Sequence, residues 1–415
     1  MNDDAETISI DQPAETPAVP DPASASGPRM ATVLQVLPAL GTSGGVERGT
    51  IEMARAIVQS GGRAIVASAG GARQHELDRV GAEHVTLPLD TKAPFQMYAN
   101  IGRLADLIRR ENVDIVHARS RAPAWSAYYA AKRTKRPLIT TFHGTYGHAN
   151  PFKRFYNSVM TKGERVIAIS AFIAGHVRRI YGVPNDHIRT IHRGVDTSRF
   201  NAANVTAQRV IQLANAWRLT EGYPVVMLPG RLTRWKGQTV FIEAIAKLGR
   251  HDVRCLLVGG DQGRLDYRSE LETLIERHNL GSVVRLVDNC SDMPAAYMLS
   301  DVVVSASTDP EAFGRVVIEA QALGRPIVAT DHGGARETIL PDVTGWLVPP
   351  GDADALAKAL EKALALDETA RAQLAQTAVD HVQRNFSTEL MCTKTLAVYD
   401  EVLLGQGQES ARSGN

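Results

Sequence analysis

Residues 309–337, DPEAFGRVVIEAQALGRPIVATDHGGARE, constrain the fold more than any other stretch of the chain. They open on a loop carrying Pro310 and Glu311. From Gly314 onward Val316, Val317, Ala320 and Leu323 follow helical spacing. Gly324 is placed to end that helix, because glycine enters the left-handed region at little cost. PIVAT at 326–330 then reads as a buried strand, and Val302, Val303, Val304 and Ser305 read as another just upstream. Gly333 and Gly334 turn the chain toward a further helix. Strand, loop, helix and strand make a parallel βαβ unit, which requires a sheet covered on both faces.

The same stretch carries chemistry. A helix beginning near Gly314 presents unpaired N–H groups and a positive dipole end, which suit a phosphate. Gly314 has no side chain to keep a ligand from that backbone. Glu319, on a largely apolar helix, offers two acceptor oxygens side by side, the geometry of a ribose cis-diol. Glu311 is free to accept from a sugar hydroxyl. Two acids and one helix end together read as a nucleotide-sugar cradle.

A second loop has matching character. After the strand-like residues 224–229 comes GRLTRWKG, with Arg231 and Lys236 in the turn between strand and helix. Two fixed cations beside free helix N–H groups form a diphosphate clamp. The loop is not a Walker A sequence, which needs more glycines before the lysine and Ser or Thr after it.

These residues resemble a known family. EAFGRVVIE, with seven residues between Glu311 and Glu319, a strand before it and ALGRPIVAT after it, is similar to the motif of retaining GT-B glycosyltransferases, family 4. GRLTRWKG resembles that family's G-R-x-x-x-x-K-G residue by residue. The resemblance covers about residues 30–405. It implies an α/β chain of two Rossmann-like parallel-sheet domains facing across a cleft. It also implies donor-binding residues Gly44, Gly45, Arg231, Lys236, Glu311, Phe313, Gly314 and Glu319. Glu311, Arg231, Lys236 and His143 are the expected catalytic residues. The implied reaction moves a hexose from a nucleotide diphosphate sugar to a glycan or lipid-linked acceptor. The wording of residues 142–170 and 309–337 looks most like bacterial lipopolysaccharide and envelope-glycan enzymes. A sugar-nucleotide epimerase or phosphorylase of the same fold, and a non-catalytic nucleotide-sugar-binding scaffold, remain as alternatives.

The rest of the chain fits that outline. Residues 1–28 hold six acids and no Lys or Arg, are rich in Ala, Pro and Ser, and read as a disordered acidic tail. They lack the basic and apolar regions of a signal peptide. Strand-like runs alternate with helical patterns from Ala31 onward. Residues 31–37 form the first strand, residues 41–45 a glycine loop, and residues 46–60 a helix. Gly44 and Gly45 lie where, by resemblance, a loop reaches the donor phosphate across the cleft. That loop is not G-x-G-x-x-G, and no acid ends the second strand at 64–68, so a nicotinamide oxidoreductase is disfavoured. A strand at 112–117 ends on His117, read as structural. Another at 137–142 leads to His143, which the family places beside the reacting sugar and which is read here as a candidate general base. The domain reading is an N-terminal acceptor-side domain at 29–205 and a nucleotide-sugar domain at 206–384. A helix at 385–405 crosses back, and a polar tail occupies 406–415.

Metals, nucleic acids and membranes are judged on composition. Three cysteines (Cys255, Cys290, Cys392) are too scattered for a disulfide framework or a zinc site. Asp352 and Asp354 match D-x-D but precede a helix, where N-capping explains them. No metal and no cofactor are expected. The net charge of +1 hides an asymmetry. Residues 29–200 carry 25 Lys and Arg against 12 Asp and Glu. Phe152, Lys153, Arg154, Phe155 and Tyr156 interleave aromatic and basic side chains, as in interfacial segments. No nucleic-acid motif accompanies them. The expectation is a cytoplasmic enzyme without a spanning helix, with the anionic inner membrane face as a candidate docking surface.

Overall fold

The computed structural model describes residues 31–41, 44–147, 150–219 and 222–413. The acidic tail expected at 1–28 lies outside them. Among the described residues thirteen strands form two sheets, parallel throughout. The first contains β1 (Thr32–Val36), β2 (Arg63–Ser68), β3 (Glu83–Thr86), β4 (Ile115–Ala118), β5 (Leu138–Phe142), β6 (Arg165–Ala168) and β7 (Ile188–Thr190). Its order is β3-β2-β1-β4-β5-β6-β7. The second contains β8 (Val225–Pro229), β9 (Arg254–Val258), β10 (Val284–Val287), β11 (Val302–Ser305), β12 (Ile327–Thr330) and β13 (Trp346–Val348), in the order β10-β9-β8-β11-β12-β13.

Both orders reverse beside the first strand of the sheet, between β1 and β4 and between β8 and β11. Crossover helices leave opposite faces on the two sides of that point, so a crevice opens at the carboxyl ends of the strands. β1, β4, β5, β8, β9, β11 and β12 are buried almost along their length, which is why they read as continuous apolar runs rather than alternating ones. β3 is half exposed at the sheet edge and β7 spans three residues, and neither carries an apolar run to mark it.

The chain crosses between the two units twice at one place. Val195 N–H donates to Phe386 O (2.8 Å), and Thr388 N–H donates to Val195 O (3.0 Å). The helix Thr388–Ser413 then packs on the first unit. Tyr399 OH meets His117 Nδ1 at 2.7 Å, and Glu401 accepts from Arg165 Nε (2.7 Å) and Arg189 Nε (2.9 Å). His117, bonded also to Thr141 Oγ1 at 2.7 Å, is structural. The helix runs nine residues past Leu404 to Ser413, so the expected polar tail is helical over most of its length. In the connection between β7 and β8 lies the helix Ala207–Ala216, and its Arg209 grips Asp292 of the second unit with both Nε (2.8 Å) and Nη2 (2.6 Å).

Glu337 joins the units from the other side of the cleft. Its carboxylate accepts from the backbone N–H of Ala171 (2.7 Å) and Phe172 (2.8 Å) and bonds His192 Nε2 (2.8 Å). It thereby caps the helix Ala171–Tyr181, whose own N-cap, Ser170, accepts from Ile173 N–H (3.1 Å) and donates to Ala312 O (2.6 Å).

Candidate active site

The two loops singled out in the sequence meet at the reversal point of the second sheet. The turn after β8 is fastened to the segment after β11 by Thr308 N–H donating to Trp235 O (2.8 Å). It is fastened again by Lys236 Nζ donating to Glu311 Oε1 (2.7 Å). Ser307 Oγ (2.6 Å) and Ser305 Oγ (3.4 Å) donate to the same oxygen. Burial by itself raises the Glu311 carboxyl, but the Lys236 ammonium and the serine hydroxyls outweigh it, and the net shift is downward. Glu311 is therefore an ionised carboxylate whose Oε2 is left for a ligand. Gly333 and Gly334 permit this packing: a Cβ on Gly333 would stand 2.3 Å from Glu311 O, and Gly334 N–H donates to that carbonyl.

Arg231 lies exposed at the start of the clamp, and its guanidinium has no ion-pair partner among the described residues. Gly314 is the N-cap of the helix Arg315–Ala322, with φ 81°, a left-handed conformation that favours glycine. A Cβ there would meet nothing nearer than 3.8 Å, so the space before the helix is open. Phe313 is placed differently from the expectation. Its ring is buried against His192 and Phe386, so only its backbone faces the loop.

Glu319 is more heavily engaged than the sequence suggests. Tyr297 OH donates to Oε2 (3.0 Å), and Arg315 Nη2, one turn earlier on the same helix, donates to Oε1 (2.8 Å). Arg48 of the first unit approaches Oε1 to 3.7 Å across the cleft. The glycine loop of the first unit arrives at the same point, since a Cβ on Gly45 would lie 3.8 Å from Arg315 Nη1. Gly44 precedes it as N-cap of the helix Gly45–Gln59. Thr42 and Ser43, between Gly41 and Gly44, lie outside the described residues.

His143 follows β5, and its surroundings argue against a base. Arg193 Nη2 lies 3.0 Å from its Nδ1. A guanidinium only donates, so Nδ1 accepts and the ring proton sits on Nε2. Burial, with Arg193 and Arg119 nearby, holds the imidazole well below its usual range. Nε2 is buried and makes no hydrogen bond. The imidazole is thus neutral, with Nε2 as its donor atom. Arg48, Arg315, Tyr297 and Arg193 escaped the sequence reading, although Arg48 and Arg315 lie in the first turn of a helix and Arg193 just past a strand.

Asp352 accepts from Ala355 N–H (2.9 Å) and Asp354 pairs with Lys247 (2.8 Å), so the D-x-D pair is a helix cap and a surface ion pair. Among the described residues no group of three His, Cys, Asp or Glu is placed to hold a metal ion, and none of the helices is long and apolar enough to cross a membrane.

Residues 43–199 match the model of Glycosyltransferase Family 4, and residues 211–380 match that of Glycosyl transferases group 1. A D-inositol 3-phosphate glycosyltransferase of Xylanimonas cellulosilytica is 30% identical over 310 residues, which cover 69% of this chain and 71% of that one. The crystal structure of a glycosyltransferase from Rickettsia africae is 40% identical, with a TM-score of 0.83 over 90% of this chain and 98% of that one. The chain belongs to the group 1, family 4 glycosyltransferases. Its two sheets and cleft are the GT-B fold. An Anabaena protein crystallised with UDP-glucose shares that fold at 24% identity and a TM-score of 0.78, over 89% of this chain and 99% of that one. This family 4 glycosyltransferase also resembles enzymes of bacterial lipopolysaccharide and envelope-glycan synthesis.

Proposed function

We propose that this glycosyltransferase moves a hexose, with retention, from a nucleotide diphosphate sugar to a glycan or lipid-linked acceptor of the bacterial envelope. The observation that carries this reading is the pair Lys236–Glu311, 2.7 Å apart beside the unpaired Arg231 and the open backbone at Gly314. Departure of the nucleotide diphosphate concentrates negative charge on the leaving phosphate. Arg231, Lys236 and the helix N–H groups after Gly314 are fixed in advance to receive it, which needs no reorganisation at the moment of reaction. A preorganised donor of this kind contributes roughly 2.7–4 kcal/mol. These cations supply the charge that a metal supplies elsewhere, so the reaction is read as metal-independent.

Glu311 Oε2 accepts from the sugar hydroxyls, and Glu319 orients the ribose. His143 donates from Nε2–H to the sugar or acceptor rather than taking a proton. The Anabaena neighbour's UDP-glucose makes uridine the first nucleotide to test. Phe152 and Phe155 are 84% and 67% exposed, with Phe95, Tyr98 and Tyr129 also exposed nearby in the basic unit. Such rings beside Lys153 and Arg154 favour docking on an anionic membrane at the cytoplasmic face.

A thermal-shift panel of nucleotide diphosphate sugars in EDTA tests the reading. One donor at 100 times its Kd stabilises the fold by about 2.7 kcal/mol. Stabilisation by none of them, or only after a divalent metal is added back, contradicts it.

A further inference from the structure

The carboxyl end of the first sheet holds two buried cations that the donor site leaves unused. Arg119 directly follows β4, and Arg193 lies three residues past β7. Their guanidiniums converge on Gly49, inside the helix Gly45–Gln59. A Cβ on Gly49 would stand 2.3 Å from Arg193 Nη1 and 3.0 Å from Arg119 Nη2. A helix interior prefers alanine to glycine, so the missing methyl has a steric reason.

Arginines this deep are almost always paired, because an unpaired buried charge costs several kcal/mol. Arg119 is 4% exposed and Arg193 8%. Among the described residues neither forms an ion pair with a carboxylate. Arg193 donates to the neutral His143, and the buried Arg119 Nε makes no hydrogen bond. Glu52 acts on both guanidiniums only through space. Burial, with Arg119 and Arg315 close by, pushes Arg193 down to about 9. The arrangement lacks one anion.

The space for it exists. A cavity of about 20 Å³ has Arg119, Thr141, Arg193 and Thr395 as its polar lining, with Gly49 and the apolar side chains of two methionines and three isoleucines making up the rest. That volume admits one oxygen of an anionic group, whose other atoms stay outside it, and not a sugar ring. It sits beside β5, β6 and the segments that follow β4 and β7, under the helices Gly45–Gln59 and Thr388–Ser413. We propose that Arg119 and Arg193 bind a compact anionic group of the acceptor, a carboxylate or a phosphate. The word acceptor rests on the glycosyl-transfer reading; the anion site does not. Because Arg193 also orients His143, filling the site aligns the ring that faces the reacting sugar.

Calorimetric titration with acetate and with inorganic phosphate, at constant ionic strength in chloride, tests this on the full chain. The donor site is first filled with a nucleoside diphosphate. The wild type should bind acetate or phosphate saturably, and the better probe identifies the class of anion. Arg119→Met and Gly49→Ala should each weaken that binding at least tenfold while leaving the nucleoside diphosphate within twofold. Gly49→Ala retains a helix-favouring residue, so it reports even where Arg119→Met does not fold. The proposal is overturned if neither anion binds saturably to the wild type, or if Gly49→Ala binds it unchanged. Failure of every nucleoside diphosphate to bind sinks the donor reading instead, and the anion titrations of unfilled wild type and variants still decide this one.

Discussion

Lys236 holds Glu311 at 2.7 Å, so removing its ammonium has two consequences. One charge of the phosphate clamp disappears, and a buried carboxylate loses the cation that keeps it ionised. Lys236→Ala should lower kcat about 10²–10³-fold, the loss of one preorganised donor. Glu311, held below its usual range by Lys236, should then titrate higher. The acid limb of the pH–rate profile should therefore move to higher pH in the variant; an unmoved limb would separate Glu311 from the reaction. Glu319 has a different task. In the proposed site it holds the ribose, which does not react, so Glu319→Ala should raise the donor KM more than it lowers kcat. Steady-state kinetics with varied donor separates the two, and a collapsed kcat at unchanged KM would count against the ribose role. Both acids were legible in the sequence because their spacing accompanied a helix start, a C′ glycine and flanking strands. Arg48 and Arg193 were not, since each acquires meaning only from a residue more than forty positions away: Glu319 for the first, His143 for the second.

At the scale of elements, Glu337 supplies three of the hydrogen bonds that link the units. It satisfies two N–H groups at the start of the helix Ala171–Tyr181 and bonds His192. Glu337→Ala leaves those groups without a partner, and loss of a cap costs about 1–2 kcal/mol. Urea unfolding followed by circular dichroism should show an unfolding free energy lower by that amount and a lower midpoint, and an unchanged midpoint would mean that Ser170 caps the helix alone. Strands buried on both faces, such as β5, β8 and β11, were readable as apolar runs. β3, β6 and β7 were not singled out. β3 and β7 lie at the edges and are short or half exposed, so sheet pairing rather than composition makes them strands. The same limit applies to the helix Glu368–Asn385, which buries only Leu374, Ala378 and Val382.

Over the whole molecule, charge and exposure are uneven in the same place. The excess of basic residues at 29–200 lies in the same unit as the exposed Phe152 and Phe155. Each Lys or Arg near an anionic surface contributes about 1 kcal/mol, within a Debye length of ~8 Å at physiological salt. Binding to anionic vesicles should be reversible and weakened by salt. Co-sedimentation of the wild type against Lys153→Glu with Arg154→Glu measures it. Equal sedimentation of the two proteins, or no binding at low salt, would leave the basic face to a water-soluble acidic acceptor.

The central claim is that the crevice between β8 and β11 binds a nucleoside diphosphate through Arg231 and Lys236 without a metal. Calorimetric titration in EDTA addresses it most directly, comparing a nucleoside diphosphate with its monophosphate. The wild type should bind the diphosphate at least tenfold more tightly, a difference of about 1.4 kcal/mol. In the double variant Arg231→Ala, Lys236→Ala that preference should vanish. A double variant that keeps the full preference, or a wild type that shows none until a divalent metal is added, would contradict the account.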